Sequence, residues 1–339
     1  MAYLDDIEAQ PEVIARLTAR LEASEAVRQA ASRIAASRGV WLAGMGSSYA
    51  AAMYGRYMLA GPGRWVYTLD AGEALHYMAP SCRAGDVGVL ISQSGASYET
   101  TRLAEALRGH TFLIAITNRA DSPLATLADA VITLDVPPDE AVSVKTYTAT
   151  LTALAVLGVR AGGIEPASPA LLREALAAAI HEGRANARTL ARALAQRYVS
   201  VVGRGPALAS ALFGALLLKE AAGRPAEALS GGQFRHGPME LAGPGHAAVV
   251  LAPAGATAEL QRRLARDLAT YGSSVLLVGP PPEPGPSEGV SFWPIPELAE
   301  PWSPLVQACA LQWLAWACGV EGGRQVGRLL RTPRVVDYE

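Results

Sequence analysis

The sequence predicts an α/β protein built from two tandem copies of one unit, each a parallel sheet flanked by helices. Short apolar runs alternate with helical stretches, the pattern of buried parallel strands joined by crossover helices. Two of the runs end in Gly- and Ser-rich turns. The whole order then returns about 160 residues further on, which marks an internal duplication.

Residues 6–37 read as helices, with Ile14, Leu17 and Leu21 at helical spacing. Gly39–Ala43 is a short apolar strand that ends in Gly44-Met45-Gly46-Ser47-Ser48-Tyr49, and a helix is expected from Ala50 to Leu59. A second strand, Asp86–Ile91, runs into Ser92-Gln93-Ser94-Gly95-Ala96-Ser97, with helical periodicity resuming through Leu103, Ala104 and Leu107. Thr111–Ile116 is a third strand, followed by Thr117-Asn118. In the second copy, Gly203-x-Gly205 and Gly214 answer Gly44-x-Gly46 and Gly55. Val250–Gly255 answers Leu90–Gly95, and Glu259 to Leu268 answers Glu99 to Leu107. Ala161–Pro169 is the expected linker. The expected domains are 1–163, N-terminal helices plus the first copy, and 170–339, the second copy with a C-terminal tail. The Pro-rich stretch Gly279–Pro286 reads as a surface loop without assigned function.

Composition bounds the function. The chain has 339 residues, 50% hydrophobic and only 18% charged, which suits a globular protein with a large core. A net charge of −2 offers no bulk basic field for nucleic acid or an acidic membrane. The opening residues lack the basic and apolar regions of a secretory signal, and no apolar run is long enough for a membrane span. Cys82, Cys309 and Cys318 are far apart and read as buried thiols in a reducing compartment, so the expected location is the cytoplasm. Among 29 basic residues only Lys145 and Lys219 are lysines, which singles out both positions, because Lys and Arg are not equivalent.

Ser92, Gln93, Ser94 and Ser97 stand at a strand end just before a helix. Parallel sheets bind ligands at that edge, and a helix start presents unpaired N–H groups and a positive dipole end. Hydroxyls and an amide around it make a nest suited to phosphate. Each charge-assisted hydrogen bond contributes about 1.5–3 kcal/mol, so four or five could hold the anion without Lys or Arg. The competing reading makes Ser97 an N-cap and the others turn residues. The second copy has Ala252-Pro253-Ala254-Gly255 at this place and cannot make such a site. Ser47 and Ser48 end the neighbouring strand and are candidates for the same ligand. A dinucleotide fingerprint is the rival there, with Asp70 ending a later apolar run, but Tyr49 stands where the third glycine belongs.

Glu220 is expected in the last turn of a helix of about four turns, with Pro206 at its start and Gly223 at its end. A carboxylate there opposes the dipole, which favours its protonated form and suits a general base. The alternative is a solvated Lys219–Glu220 pair closing the helix. His236 lies between Arg235 and Gly237-Pro238, on a loop, where it is either a proton carrier or structural. No two histidines have metal-ligand spacing, and neither metal nor organic cofactor is expected.

Taken together, the chain resembles the sugar-isomerase (SIS) family. The likeness is nearest to the isomerase half of glucosamine-6-phosphate synthase and to stand-alone glucosamine-6-phosphate deaminases. It rests on GSSY (46–49), ISQSGAS (91–97), TNRADSPLA (117–125), SVKTYT (143–148), LLLKE (216–220) and FRHGPME (234–240), in order over residues 35–339. The resemblance implies two tandem SIS subdomains, each a three-layer αβα, flavodoxin-like sandwich. It implies that Ser47, Ser92, Gln93, Ser94 and Ser97 bind phosphate, with Ser48 and Ser143 counted among the substrate contacts. Glu220 would shuttle a proton between C1 and C2, Lys219 stands beside it, and His236, from the neighbouring subunit of a homodimer, would open the sugar ring. Three positions depart from the family pattern: Ala96 where Glu is common, Leu217 where Lys is common, and Arg334 where the closing tail carries Lys.

The expected partner is a sugar phosphate, with neither nucleic acid nor membrane involved. The first expectation is a stand-alone enzyme interconverting glucosamine 6-phosphate with fructose 6-phosphate and ammonia. A deglycase of fructosamine-type phosphates and a plain aldose–ketose isomerase are alternatives within the same chemistry. A non-catalytic sugar-phosphate sensor is the alternative of another class. Glu220 and His236 together favour chemistry, and no DNA-binding segment is read before the first copy.

Overall fold

The computed structural model describes residues 2–140, 142–195, 197–281, 285, 287–331, 333, 335–336 and 338. The chain forms two compact units. The first comprises Glu12–Asp139, Lys145–Leu172 and Leu330–Glu339; the second comprises Met1–Pro11, Glu140–Val144 and Arg173–Leu329.

In the first unit, β1 (Gly39–Gly44), β2 (Trp65–Asp70), β3 (Val87–Ile91), β4 (Phe112–Thr117) and β5 (Ala130–Thr133) form a parallel sheet in the order β2-β1-β3-β4-β5. In the second, β6 (Tyr198–Gly203), β7 (Ala226–Ser230), β8 (His246–Leu251), β9 (Ser274–Gly279) and β10 (Val290–Pro294) form another, in the order β10-β9-β8-β6-β7. Counted within its own unit, each sheet runs 2-1-3-4-5, the doubly wound flavodoxin-like order. Strand direction of travel across the sheet reverses between β1 and β3, and again between β6 and β8. Ligands of such sheets sit beyond the carboxyl ends of the strands at that reversal.

The residue types account for these elements. β1, β3 and β8 are buried along their whole length, as inner strands covered on both faces must be. The stretch 6–37 resolves into three amphipathic helices, Ala2–Glu8, Gln10–Glu22 and Glu25–Ala36. The helix expected from Ala50 begins earlier, at Ser47, because Gly46 takes φ 53° and serves as its N-cap. Gly205 repeats that conformation after β6, with φ 55°. The paired helix glycines also have one purpose. A Cβ at Gly55 would meet Leu42 and Leu154, and one at Gly214 would lie 2.9 Å from Leu311. Each glycine lets its helix approach the most buried helix of its own unit, Lys145–Arg160 or Ser303–Glu321.

Asp70 ends β2, as expected, but its carboxylate accepts the backbone N–H groups of Gly72 and Glu73 at 2.9 and 3.1 Å. It caps a helical turn. Cys309 and Cys318 are buried free thiols, which burial pushes up to about 12 and about 11; Cys82, expected buried, is half-buried. No helix among the described residues is long and apolar enough to cross a membrane.

Candidate functional site

In the first unit, Gly44 and Ile91 are register partners at the carboxyl ends of β1 and β3. The turns 45–48 and 92–97 therefore leave the sheet side by side, at the reversal point. Ser47 and Ser48 open the helix Ser47–Met58, and Ser97 is the N-cap of the helix Tyr98–Leu107.

Ser97 does not cap with its side chain: its hydroxyl lies 3.0 Å from that of Ser92 instead. The Ser92 hydroxyl also accepts the Gly95 N–H at 3.1 Å, and Ser92 is only 2% exposed. Ser94 accepts the Ala96 N–H at 3.2 Å. Ser92 thus shapes the turn from within, while Gln93 and Ser94 face a cavity of about 530 Å³. Gly95 makes the turn feasible. It has φ 64°, and a Cβ there would collide with Ser122.

A second turn supports the first, and only its motif, not its individual residues, stood out in the sequence. The Asn118 N–H donates to the Gln93 carbonyl at 3.0 Å. The Asn118 amide exchanges two hydrogen bonds with the Val136 backbone, at 2.8 and 2.9 Å. Ser122 caps the helix Pro123–Leu127. Asn118, the exposed Arg119 and Val335 of the tail line the same cavity. Arg119 is paired with Asp121 at 3.1 Å. The tail reaches the nest directly, since the Tyr98 N–H donates to the Val336 carbonyl at 3.1 Å. Asn, Arg and tail residues of this kind carry no local periodicity, so their convergence was not legible. Arg334 lies outside the described residues. Ser143 falls in Glu140–Val144, a half-buried position of the second unit.

The second unit holds Lys219, Glu220 and His236. The helix Ala207–Glu220 ends on Glu220, and the Gly223 and Arg224 N–H groups bond back to the Lys219 and Leu218 carbonyls at 3.1 and 2.9 Å. Lys219 is exposed and Glu220 half-buried. Burial pushes the Glu220 carboxyl up to about 7, against the opposing pull of the Lys219 charge. The Lys219 charge thus acts on the carboxyl, but burial outweighs it. Desolvation is the main cause of the shift, an effect that needs the packed structure to be seen.

His236 sits on an exposed turn, its N–H donating to the Gln233 carbonyl at 3.0 Å. It follows the carboxyl end of β7. Glu220 precedes the amino end of β7, because a crossover helix between parallel strands runs back against them. The two side chains thus attach at opposite edges of one sheet, separated along β7 by roughly 13–16 Å.

The second unit's own reversal point is closed. Gln261 Nε2 donates to the Val202 and Leu251 carbonyls at 3.4 and 3.2 Å, tying together the ends of β6 and β8. The Glu300 carboxylate accepts the Ala256 N–H at 3.3 Å and lies against Gly255. A carboxylate occupies the place that an anion would need. Among the described residues no cluster of three or more His, Cys, Asp or Glu side chains is placed to hold a metal ion.

Comparison with known proteins agrees with this architecture. Isomerizing glutamine–fructose-6-phosphate aminotransferase of Pyrobaculum aerophilum is 28% identical over 334 residues, covering 94% of this chain and 54% of that protein. The chain spans about half the length of the curated relative it matches. The C-terminal domain of glucosamine-fructose-6-phosphate aminotransferase from Francisella tularensis superposes with a TM-score of 0.84 at 20% identity, covering 97% of this chain and 98% of that one. Glucosamine-6-phosphate deaminase from Thermotoga maritima gives 0.76 at 20% identity, with 99% of both chains covered. These two likenesses establish the shared fold. The SIS domain description matches residues 33–160 and 195–278, and by that match the chain belongs to the SIS domain family.

Proposed function

We propose that this chain is a phosphosugar enzyme that moves a proton between C1 and C2 of an amino sugar 6-phosphate, converting glucosamine 6-phosphate to fructose 6-phosphate and ammonia. The observation that carries the reading is Glu220, a carboxyl raised to about 7 by burial at the end of a helix. Proton transfer between adjacent carbons needs one base that takes and returns the proton, and such a base works best with a pKa near the working pH. The turn 92–97 and its neighbour 45–48 supply the phosphate grip, with Gln93 and Ser94 facing the cavity. Fixing the phosphate end holds the reacting carbons before the base.

Ring opening falls to His236. Its attachment at the opposite sheet edge from Glu220 favours a site completed by a second copy of the chain, in a homodimer that shares its active sites. Lys219 stays beside Glu220 as a charge that tempers its pKa. Ser143 contacts the sugar, and Arg334 acts from the tail. Arg334 is always charged, so its part is electrostatic and not that of a neutral amine.

The test is ammonia release and fructose 6-phosphate formation from glucosamine 6-phosphate, by the wild type beside Glu220→Gln. Turnover in the wild type that falls by about 10²–10⁴ in the variant supports the reading. Equal rates in both proteins, or ligand binding without turnover in the wild type, would discard it.

A further inference from the structure

Lys145 is one of two lysines in a chain that otherwise uses arginine, and the proposed chemistry leaves it without a role. Its surroundings supply one. Asp139 and Lys145 flank the segment Glu140–Val144, which leaves the first unit and clusters with the second. At the base of that excursion the Lys145 ammonium lies 3.4 Å from Asp139 Oδ1, with only 5% and 4% of the two side chains exposed. The ammonium also donates to the Pro138 carbonyl at 3.1 Å.

Asp139 does more than neutralise it. Its Oδ1 accepts the Lys145 N–H at 3.0 Å, and its Oδ2 accepts the Thr146 N–H at 3.1 Å and the Thr146 hydroxyl. These are the first N–H groups of the helix Lys145–Arg160, which have no partners within the helix. One carboxylate therefore caps the helix from six residues upstream and closes the loop on itself.

The loop is fastened at both ends within the second unit as well. The Glu140 N–H donates to Asp6 Oδ2 at 3.2 Å, and Gln312 Nε2 donates to the Val144 carbonyl at 3.1 Å. Gln312 is itself fully buried and held by Gln10 at 2.8 Å. Ser143 rides on this short span, between the buried Val142 and Val144. A buried ion pair is weak evidence for stability, because desolvation offsets much of its attraction; its best-attested use is to fix one geometry. Lysine suits the position where arginine would not. A compact ammonium can be satisfied by one carboxylate and one carbonyl, whereas a buried guanidinium brings five donors in a fixed plane.

We propose that Asp139 and Lys145 are positioning residues, a buried clasp that sets the 140–144 loop and, through it, the presentation of Ser143 to the sugar. The clasp itself follows from the geometry alone; the consequence for turnover rests on the function proposed above.

The experiment compares full-length wild type, Lys145→Met, Lys145→Arg and the charge-neutral double variant Asp139→Asn/Lys145→Met. The double variant covers the case in which an unpaired Asp139 prevents folding. Amide hydrogen exchange is read first, without substrate. The expected result is exchange at residues 142–146 at least tenfold faster in each variant, with protection of β1, β3 and β8 unchanged. Unchanged exchange at 142–146 overturns the clasp. Turnover of glucosamine 6-phosphate is read second, beside inhibition by inorganic phosphate. The expected result is at least a tenfold fall in kcat/KM, no rescue by Arg, and an unchanged inhibition constant for phosphate. A loosened loop with wild-type kcat/KM overturns the positioning role. A wild type that turns over nothing sinks the proposed function, while the exchange data still decide the clasp.

Discussion

Replacing Glu220 by Gln tests the physical basis of the proposed base without any substrate. The folded carboxyl titrates at about 7, the reference carboxyl at 4.5. Below pH 4.5 both states hold the proton, and the folded state bears no cost. Between 4.5 and 7 the unfolded chain releases its proton while the folded chain keeps it. Wild-type stability then falls with rising pH, by up to about 1.4 kcal/mol per unit. Above pH 7 the whole cost is in place, about 3 kcal/mol and less where solvent reaches the carboxyl from its open side. Gln carries no proton, so Glu220→Gln is expected to gain on the wild type across that window and to keep a constant lead above it. Urea unfolding of both proteins at matched concentration, from pH 4 to pH 9, measures the difference. A gap that stays flat from 4.5 to 7, or that shrinks as pH rises, would falsify the desolvation argument and leave Glu220 an ordinary surface carboxylate.

Three further outcomes are expected. Turnover of glucosamine 6-phosphate should rise about tenfold per pH unit up to about pH 7 and level off above it, as for an essential base that must be ionised; a flat profile from pH 5 to 7 would rule out Glu220 as that base. Gly95→Ala should cost about 1–3 kcal/mol in unfolding experiments, because a Cβ at positive φ also meets Ser122, and should weaken inorganic phosphate inhibition; unaltered inhibition would place the anion elsewhere. Mixing inactive Glu220→Gln with inactive His236→Asn should restore about a quarter of wild-type activity if random C₂ dimers share their sites. No recovery after subunit exchange would argue that each chain completes its own site.

The alternation of buried runs and helices was legible because parallel strands covered on both faces must be apolar throughout, and helices must show a stripe. The duplicated glycines were legible as well, and the structure supplies their reasons: a positive φ at Gly46 and Gly205, a close helix approach at Gly55 and Gly214. The turn 92–97 could be located from its polar residues at a strand end. That Ser92 points inward could not, since a Ser beside a Gly has several local partners and only the packed turn selects one. The chain's exchange between units was equally hidden. Nothing periodic distinguishes Met1–Pro11 or Glu140–Val144 from their neighbours, and their placement depends on contacts such as Gln10 with Gln312, far apart in sequence. Glu220 was found as a conflict with the helix dipole, whereas the larger cause, loss of water, is a property of packing.

Gln261 and Glu300 give the duplication a consequence for stoichiometry. A chain with two equivalent sheets would bind two anions, and its titration would need two constants. Here the second sheet's edge is held shut by an amide and carries a negative charge of its own. On the function proposed above, each chain is therefore expected to take up a single phosphate, with saturation following one hyperbola per chain. On that reading the two turns answer to different demands: the turn after β3 to a visiting ligand, the turn after β8 only to residues that never leave.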